Sequence, residues 1–327
     1  MRAETYAVHA GRDDFLELGV HAPPIDLSTT YPIADLNVAV ASYDALSQGA
    51  ARAASPVYAR LHNPTVRRVE EAVAGLEGTE DAVAFASGMA ALTAALLSTC
   101  AERRHVVAFR PLYGGSDHLL AVGLLGLAVT WVARVEELAK ALRPDTGLVI
   151  LETPQNPTLG LVDIAAACAA AGPVPVLVDN TFATPVLQNP AIHGAQFVLH
   201  SASKFLGGHG DVIAGVIATS GAHAGGLRQV RALTGGILHP LAAYLLHRSL
   251  PTLPMRVHAA QERAIALAAR LARHPGVTVV HHPQPDGVQL RGPGAVLSFE
   301  VAGAMPAAAA VLGAVRLITP AVSLGST

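Results

Sequence analysis

His200-Ser201-Ala202-Ser203-Lys204-Phe205-Leu206-Gly207-Gly208-His209-Gly210 is the stretch from which the fold is read. It leaves an apolar run at 197–201 and enters a glycine-rich turn, so its polar residues stand where a strand ends. In α/β folds with parallel strands, ligands gather outside the carboxyl ends of the strands. Lys204 lies there between small hydroxyl residues and glycines, with no acidic neighbour in sequence. That context suits a buried amine with a lowered pKa. Of the 22 basic residues in the 327-residue chain, only Lys140 and Lys204 are lysines. Lys140 follows Glu136 and Glu137 in a helix-like segment, the pattern of a solvated helix face with i,i+4 partners. Chemistry that needs a side-chain amine therefore falls to Lys204.

Working outward, apolar runs at 81–86, 105–109, 128–132, 148–152, 174–179, 197–201 and 212–218 read as strands. Helix-like segments at 89–98, 117–125, 135–142, 164–171 and the short 190–193 lie between them. Several runs are uniformly apolar rather than alternating, which marks a mainly parallel sheet covered on both faces. Asn63-Pro64-Thr65 is a helix start, Val66, Val69, Val73 and Leu76 follow at helical spacing, and Gly78 ends the helix. Residues 1–60 hold Pro23-Pro24, Pro32, a helix-like piece at 38–46 and a flexible run at 48–55; they read as an arm packing on a neighbour. A break is expected at Pro251 and Pro254. Beyond it, a helix at 256–273, strands at 277–280 and 296–301, a helix at 306–315 and a strand just before Gly325 read as a smaller α+β domain. The expected organisation is an arm 1–60, an α/β domain 61–250 and a C-terminal α+β domain 251–327.

Composition removes several function classes. With 51% hydrophobic and 14% charged residues, the chain is not disordered. A net charge of −2 offers no basic field to nucleic acid or an anionic membrane. Residues 82–101 carry no charge over the length of a membrane span, but Ser87-Gly88 interrupts the run and a strand-like piece opens it. A buried strand followed by a buried helix is expected, and no membrane segment. Cys100 and Cys168 show neither a CxxC pair nor zinc spacing, and Met1-Arg2-Ala3-Glu4-Thr5 starts no apolar signal region; a cytoplasmic protein is expected. The 15 histidines are scattered without HExxH, and adjacent His281-His282 reads as part of a Pro-flanked turn, so no metal centre is expected. No strand is followed by GxGxxG with an acidic residue about 20 positions on, which argues against a dinucleotide site.

Three further strand ends carry polar residues. Asp179 closes the run Val176-Leu177-Val178, either as a helix cap or as a ligand-facing carboxylate. Ser87-Gly88-Met89 joins a strand to a helix, where free backbone N–H groups make an anion site and where a plain serine N-cap is the simpler reading. Glu152-Thr153-Pro154-Gln155-Asn156-Pro157 places the Asn156 amide in a proline-bounded loop, and Tyr113 precedes Gly114-Gly115. An amine, a carboxylate, a phosphate-sized anion site and an aromatic face are the set needed to hold pyridoxal phosphate.

With these motifs in this order, the sequence resembles the Cys/Met-metabolism (trans-sulfuration) branch of fold-type I pyridoxal-phosphate enzymes. That group includes cystathionine γ-synthase, cystathionine γ-lyase, methionine γ-lyase and their sulfhydrylase relatives. The resemblance rests on Val57-Tyr58-Ala59-Arg60-Leu61-His62-Asn63-Pro64-Thr65, Ser87-Gly88-Met89, Val178-Asp179-Asn180-Thr181 and the Lys204 stretch. It implies the fold-type I architecture and γ-elimination or γ-replacement on a sulfur amino acid or an O-acyl-homoserine. It implies that Lys204 holds the cofactor covalently and shuttles a proton, that Asp179 partners the pyridine nitrogen, and that Tyr113 stacks on the ring and serves as an acid or base. It further implies that Ser87, Gly88, Met89, Ser201 and Ser203 hold the phosphate, and that Asn156 faces the phenolic oxygen and the substrate carboxylate. Tyr58 and Arg60 would reach the phosphate of a neighbouring subunit, Tyr58 and Ser323 would touch substrate, and the assembly would be a dimer of dimers.

Two departures stand out. The chain ends at Ser323-Leu324-Gly325-Ser326-Thr327 where relatives continue, so it reads as C-terminally truncated, without the arginine that grips the substrate carboxylate. Gly115 stands where methionine γ-lyases usually have cysteine, which favours the cystathionine enzymes. A cofactor-binding protein impaired in catalysis is the rival reading.

Overall fold

The computed structural model describes residues 2–326; the outermost residues of the expected arm and C-terminal domain, Met1 and Thr327, lie outside them. In chain order the elements are α1 (Ala3–His9), α2 (Phe15–Leu18), α3 (Leu36–Ser47), α4 (Pro64–Glu77), β1 (Asp81–Phe85), α5 (Gly88–Thr99), β2 (His105–Phe109), α6 (Gly114–Ala121), β3 (Ala128–Val132), α7 (Val135–Ala141), β4 (Thr146–Glu152), α8 (Ile164–Ala171), β5 (Val176–Asp179), α9 (Thr184–Leu187), β6 (Phe197–Ser201), β7 (Gly215–Thr219), α10 (Gly221–Thr234), α11 (Pro240–Ser249), α12 (Leu253–Leu271), β8 (Val277–His281), β9 (Ser298–Val301) and α13 (Ala304–Ala314).

β1 to β7 form one sheet in the order β1-β7-β6-β5-β4-β2-β3. The pairs from β6 through β5, β4 and β2 to β3 are parallel, and β7 runs antiparallel between β1 and β6. This is the mainly parallel α/β sheet of a fold-type I enzyme. Side chains alternate between its faces: Val83, Phe85, Leu177 and Phe197 pack under α5 and α10, while Val107, Val149, Val176 and Val178 pack against α8. Phe85, Phe109 and Phe197 are fully buried, each contributing about 1.5–3 kcal/mol of hydrophobic stabilisation. α4 starts with Asn63 Oδ1 accepting from the Thr65 and Val66 N–H groups, has Pro64 in its first turn, and ends at Gly78 with φ 72°.

An edge strand needs its free backbone groups satisfied. On β1, Ala84 N–H donates to Glu70 (3.0 Å) and Ala84 C=O accepts from Arg231 (2.9 Å). Ala82 N–H donates to Asp81 and Ala82 C=O accepts from Arg228. Buried ion pairs Arg231–Glu70 (2.6 Å), Arg228–Asp81 (2.7 Å) and Arg67–Asp81 (2.7 Å) hold those side chains in place. Charges in the core here finish a sheet edge.

Several local expectations change. The prolines at 251 and 254 do not break the helical path: α11, a short 3-10 turn at Leu250–Thr252 and α12 follow one another, with proline in a first turn each time. α10 was not among the expected helices; Ser220 caps it, and its buried face holds Leu227, Arg228 and Arg231. α1 and α2 form within the stretch expected to be irregular. No strand precedes Gly325; residues 315–326 are bends and irregular chain. Glu137 turns to Arg134 (3.2 Å) and the Ala133 N–H rather than to the exposed Lys140. Residues 82–101 are β1 and α5, and among the described residues no helix is long and apolar enough to cross a membrane.

Candidate active site

A cavity of about 520 Å³ opens at the carboxyl ends of β4, β5 and β6 and the start of α5. Ten of the residues singled out in the sequence line it: Ser87, Gly88, Met89, Tyr113, Asn156, Asp179, Ser201, Ser203, Lys204 and Ser323. Residues from six separate segments, spread over more than two hundred positions, thus face one space.

Each wall has a local cause. Ser87 is extended and caps α5, its Oγ accepting from Ala90 N–H at 3.1 Å, while Gly88 and Met89 hold the first N–H groups, which the helix itself cannot satisfy. The cap and the anion site are therefore one feature. Gly88 and Gly215 allow the cup to sit close: a Cβ on Gly88 would lie 3.2 Å from Ser201 Cα, and one on Gly215 only 2.2 Å from the Ser87 carbonyl oxygen. Across from it, Ser203 Oγ accepts from Ala214 N–H at 3.0 Å, and Ser201 N–H donates to Thr181 Oγ1 at 2.9 Å.

Asp179 ends β5 and is no helix cap. Its Oδ1 accepts from the Thr181 N–H (3.0 Å) and hydroxyl (2.5 Å). Burial pushes its carboxyl up, and the Thr181 hydroxyl and N–H and nearby His200 pull it back only in part. Glu152 lies beside it, paired in register on β4, buried, with Oε2 accepting from Tyr113 N–H at 2.6 Å. Burial drives the Glu152 carboxyl well above the usual carboxylate range, and the neighbouring Asp179 charge adds to that. Glu152 was not singled out in the sequence; its signal was its place at a strand end before a proline-bounded loop.

Lys204 follows β6 in a tight turn, with its N–H on Ser201 C=O at 3.1 Å and its C=O accepting from Gly208 N–H at 2.7 Å. It is half-buried rather than buried, and Nζ donates to Ser323 Oγ at 2.8 Å. Its backbone carries Gly325 directly against it; a Cβ there would come within 3.1 Å of the Lys204 carbonyl carbon. From α12, Arg256 donates to the carbonyls of Phe205 (2.6 Å), Leu206 (3.4 Å) and Ser249 (3.1 Å), bracing the turn.

Below the cavity, fully buried Glu77 accepts from Asn180 (2.8 Å), Asn189 (3.2 Å) and His200 Nε2 (2.6 Å). It ties α4 to the residue after Asp179 and the residue before Ser201. Tyr58 and Arg60 do not reach the cavity of their own chain. Both are exposed, Arg60 lies 5.5 Å from the Tyr58 ring centroid, and its guanidinium donates to Ala232 C=O at 2.5 Å.

The donor set fits pyridoxal phosphate. A carboxylate at the floor suits a protonated ring nitrogen, unpaired helix N–H groups and serine hydroxyls suit a phosphate, and a primary amine stands at the wall where a carbonyl would lie. Among the described residues no group of His, Cys, Asp and Glu is placed to hold a metal.

Known proteins agree with this fit. The family described as "Cys/Met metabolism PLP-dependent enzyme" matches residues 4–327. An L-methionine gamma-lyase of Streptomyces avermitilis is 60% identical over 325 residues, covering 99% of this chain and 76% of that protein. The crystal structure of CalE6, a methionine gamma lyase from Micromonospora echinospora, superposes with a TM-score of 0.88 at 35% identity, covering 100% of this chain and 88% of that one. A cystathionine gamma synthase from Xanthomonas oryzae pv. oryzae, solved with aminoacrylate and cysteine, gives a TM-score of 0.90 at 32% identity, covering 100% and 84%. The chain belongs to the Cys/Met-metabolism family of pyridoxal-phosphate-dependent enzymes, the lyases and transferases of trans-sulfuration.

Proposed function

We propose that this chain catalyses γ-elimination on a sulfur amino acid, with L-methionine as substrate, using water to release a thiol, ammonia and an α-keto acid. The observation that carries this reading is the 60% identity to a methionine γ-lyase across 99% of the chain, combined with a cavity holding Lys204, Asp179 and the Ser87 cup. Gly115 argued for a cystathionine enzyme. The whole-chain similarity outweighs one position whose local role is steric: a Cβ there would lie 2.6 Å from the Tyr113 ring.

The bound cofactor supplies an electron sink for charge left on the substrate carbon. Lys204 would hold it covalently, and its free amine would move the Cα proton; Ser323 at 2.8 Å holds that amine toward the cavity. Asp179 keeps the ring nitrogen protonated. Ser87, Gly88, Met89, Ser201 and Ser203 hold the phosphate, Tyr113 covers the ring, and Asn156 orients the phenolic oxygen and the substrate carboxylate. Tyr58 and Arg60 serve the site of a second copy, since their side chains face outward, and exposed Leu16, Leu27, Ile33 and Leu36 give residues 1–60 an apolar surface for that contact. The active unit is then at least a dimer, and a dimer of dimers completes it. Residues 61–250 form the cofactor domain and 251–327 the smaller domain. Free Cys100 and Cys168 suit a reducing cytoplasm.

Purified protein should show a yellow cofactor band that Lys204→Ala abolishes, and should release keto acid and thiol from methionine. Faster turnover of cystathionine than of methionine at matched concentration would sink the substrate assignment. For the shared site, mixing inactive Lys204→Ala and Arg60→Ala proteins should restore activity, because a mixed dimer holds one intact site; no recovery after subunit exchange means Arg60 does not act across subunits.

A further inference from the structure

Glu152 has no part in the reading above, yet its surroundings are built. It ends β4 next to Asp179, is 5% exposed, lines the cavity, and among the described residues forms no salt bridge. Its contacts are to backbone instead. Oε2 takes the Tyr113 N–H at 2.6 Å, and the Asn156 N–H also helps lower the carboxyl's pKa. Those two N–H groups belong to different loops, one between β2 and α6 and one between β4 and α8. Each loop contributes one residue that faces the cofactor space.

Tyr113 needs such an anchor. It is the residue before α6, has no capping hydrogen bond from its own side chain, and its side chain is 49% exposed. Its C=O accepts from Asp117 N–H at 3.0 Å as α6 begins, so the Tyr113 N–H is the other backbone group left to fix its orientation. The ring packs over Gly115, where a Cβ would lie 2.6 Å away, and among the described residues no hydrogen bond holds the phenol, so the backbone sets its height.

We infer that Glu152 is the positioning residue that sets the height and tilt of the Tyr113 ring over the cofactor, acting through the Tyr113 backbone N–H. This rests on the proposed role of Tyr113 as the stacking face. Burial and the Asp179 charge push the Glu152 carboxyl up, and the Tyr113 N–H it accepts pulls the other way, so the contact stands on the 2.6 Å geometry.

The test uses the holoenzyme and reads cofactor geometry rather than turnover. The visible circular dichroism of the bound cofactor reports ring tilt, and titration of cofactor into cofactor-free protein gives its Kd. Glu152→Ala should weaken cofactor binding by about tenfold, the scale of one lost hydrogen bond to a carboxylate, and reduce the dichroic band. Glu152→Gln keeps a carbonyl acceptor and should stay within about threefold of the parent. Tyr113→Ala should weaken binding similarly, and Glu152→Ala placed on top of it should add less than about twofold, because the ring it positions is gone. Independent, multiplying losses in the double variant overturn the inference, as does a Glu152→Gln protein as damaged as Glu152→Ala, which would make the carboxylate charge the active feature. Should Glu152→Ala not fold, Glu152→Asp withdraws the acceptor by one methylene and must lower the dichroic band without effect in the Tyr113→Ala background; an equal effect in both backgrounds overturns the inference. A parent protein that forms no cofactor band refutes the proposed function itself, which keeps the two failures distinct.

Discussion

Replacing Glu77 measures how firmly the cavity floor is tied to the sheet. The carboxyl is fully buried and accepts three donors: Oε1 takes Asn180 Nδ2 and His200 Nε2, and Oε2 takes Asn189 Nδ2. Glu77→Gln conserves volume but turns one acceptor into a donor. The amide oxygen can stay on the Oε1 side and keep two contacts, which leaves the new NH2 facing Asn189 Nδ2. Asn189 cannot simply flip, because its Oδ1 already accepts from Arg291 at 2.8 Å and its Nδ2 also donates to Leu76 C=O at 3.0 Å. One buried donor–donor contact costs about 1–3 kcal/mol.

Glu77→Ala goes further. Asn180 Nδ2 keeps Gln188 C=O at 3.0 Å, but His200 loses its partner at Nε2, and its Nδ1 already has none. The bare ring, two weakened amide contacts and the space left behind sum to about 4–7 kcal/mol. For 327 residues, an unfolding entropy of about 2.1 cal/mol/K per residue converts 1 kcal/mol to about 1.5 °C. Differential scanning calorimetry on cofactor-free protein should show Glu77→Gln lowered by about 1.5–4 °C and Glu77→Ala by about 6–10 °C. A Glu77→Ala melting point within about 1 °C of the parent, or two variants equally destabilised, refutes the acceptor argument.

Gly215→Ala puts a Cβ 2.2 Å from the Ser87 carbonyl oxygen, so the Ser87 turn must move; if that turn holds the phosphate as proposed, cofactor Kd should rise at least about tenfold by titration, and an unchanged Kd would show the approach is not tight. Arg256→Ala removes two carbonyl contacts on the Lys204 turn and a third on Ser249 at the end of α11. It should cost about 2–4 kcal/mol in chemical denaturation, with Arg256→Lys between it and the parent because one ammonium cannot span all three carbonyls. Acid should unfold the chain through the β1 edge. Burial pushes Glu70 and Asp81 up, but Arg231, Arg228 and Arg67 pull Glu70, and Arg67 and Arg228 pull Asp81, below their ordinary values. A folded pKa below the unfolded one gives stability that is complete above the ordinary carboxylate pKa of about 4 and is lost as pH falls through the depressed values. Asp179 and Glu152 are raised in the fold, so their protonation as pH falls favours the folded state and adds nothing to this loss. Urea midpoints taken downward from about pH 4 should fall steadily, and a flat midpoint contradicts the network.

The sequence by itself determined the αβ alternation, the parallel character of the sheet and the polar strand ends at Ser87, Tyr113, Asn156, Asp179 and Lys204, while the family resemblance added Ser201, Ser203 and Ser323. Those are short-range facts: uniformly apolar runs such as Val106-Val107-Ala108 can only be strands covered on both faces, and ligand-facing residues sit where such strands end. Asn63-Pro64 and Gly78 marked α4 because capping chemistry is local. The tertiary structure decided what depends on partners distant in sequence. α10 has a glycine-rich, loop-like start, and it is a helix because Arg228 and Arg231 reach β1, some 147 positions away. Pro251 and Pro254 looked like a break, and contact of their helices with the core kept the chain helical. Whether Lys204 is buried, where Tyr58 and Arg60 point, and that Glu152 holds Tyr113 all turn on contacts between segments that no spacing rule links. Local chemistry writes propensity and strand ends into the sequence; which buried acceptor meets which distant donor is settled only when the chain packs.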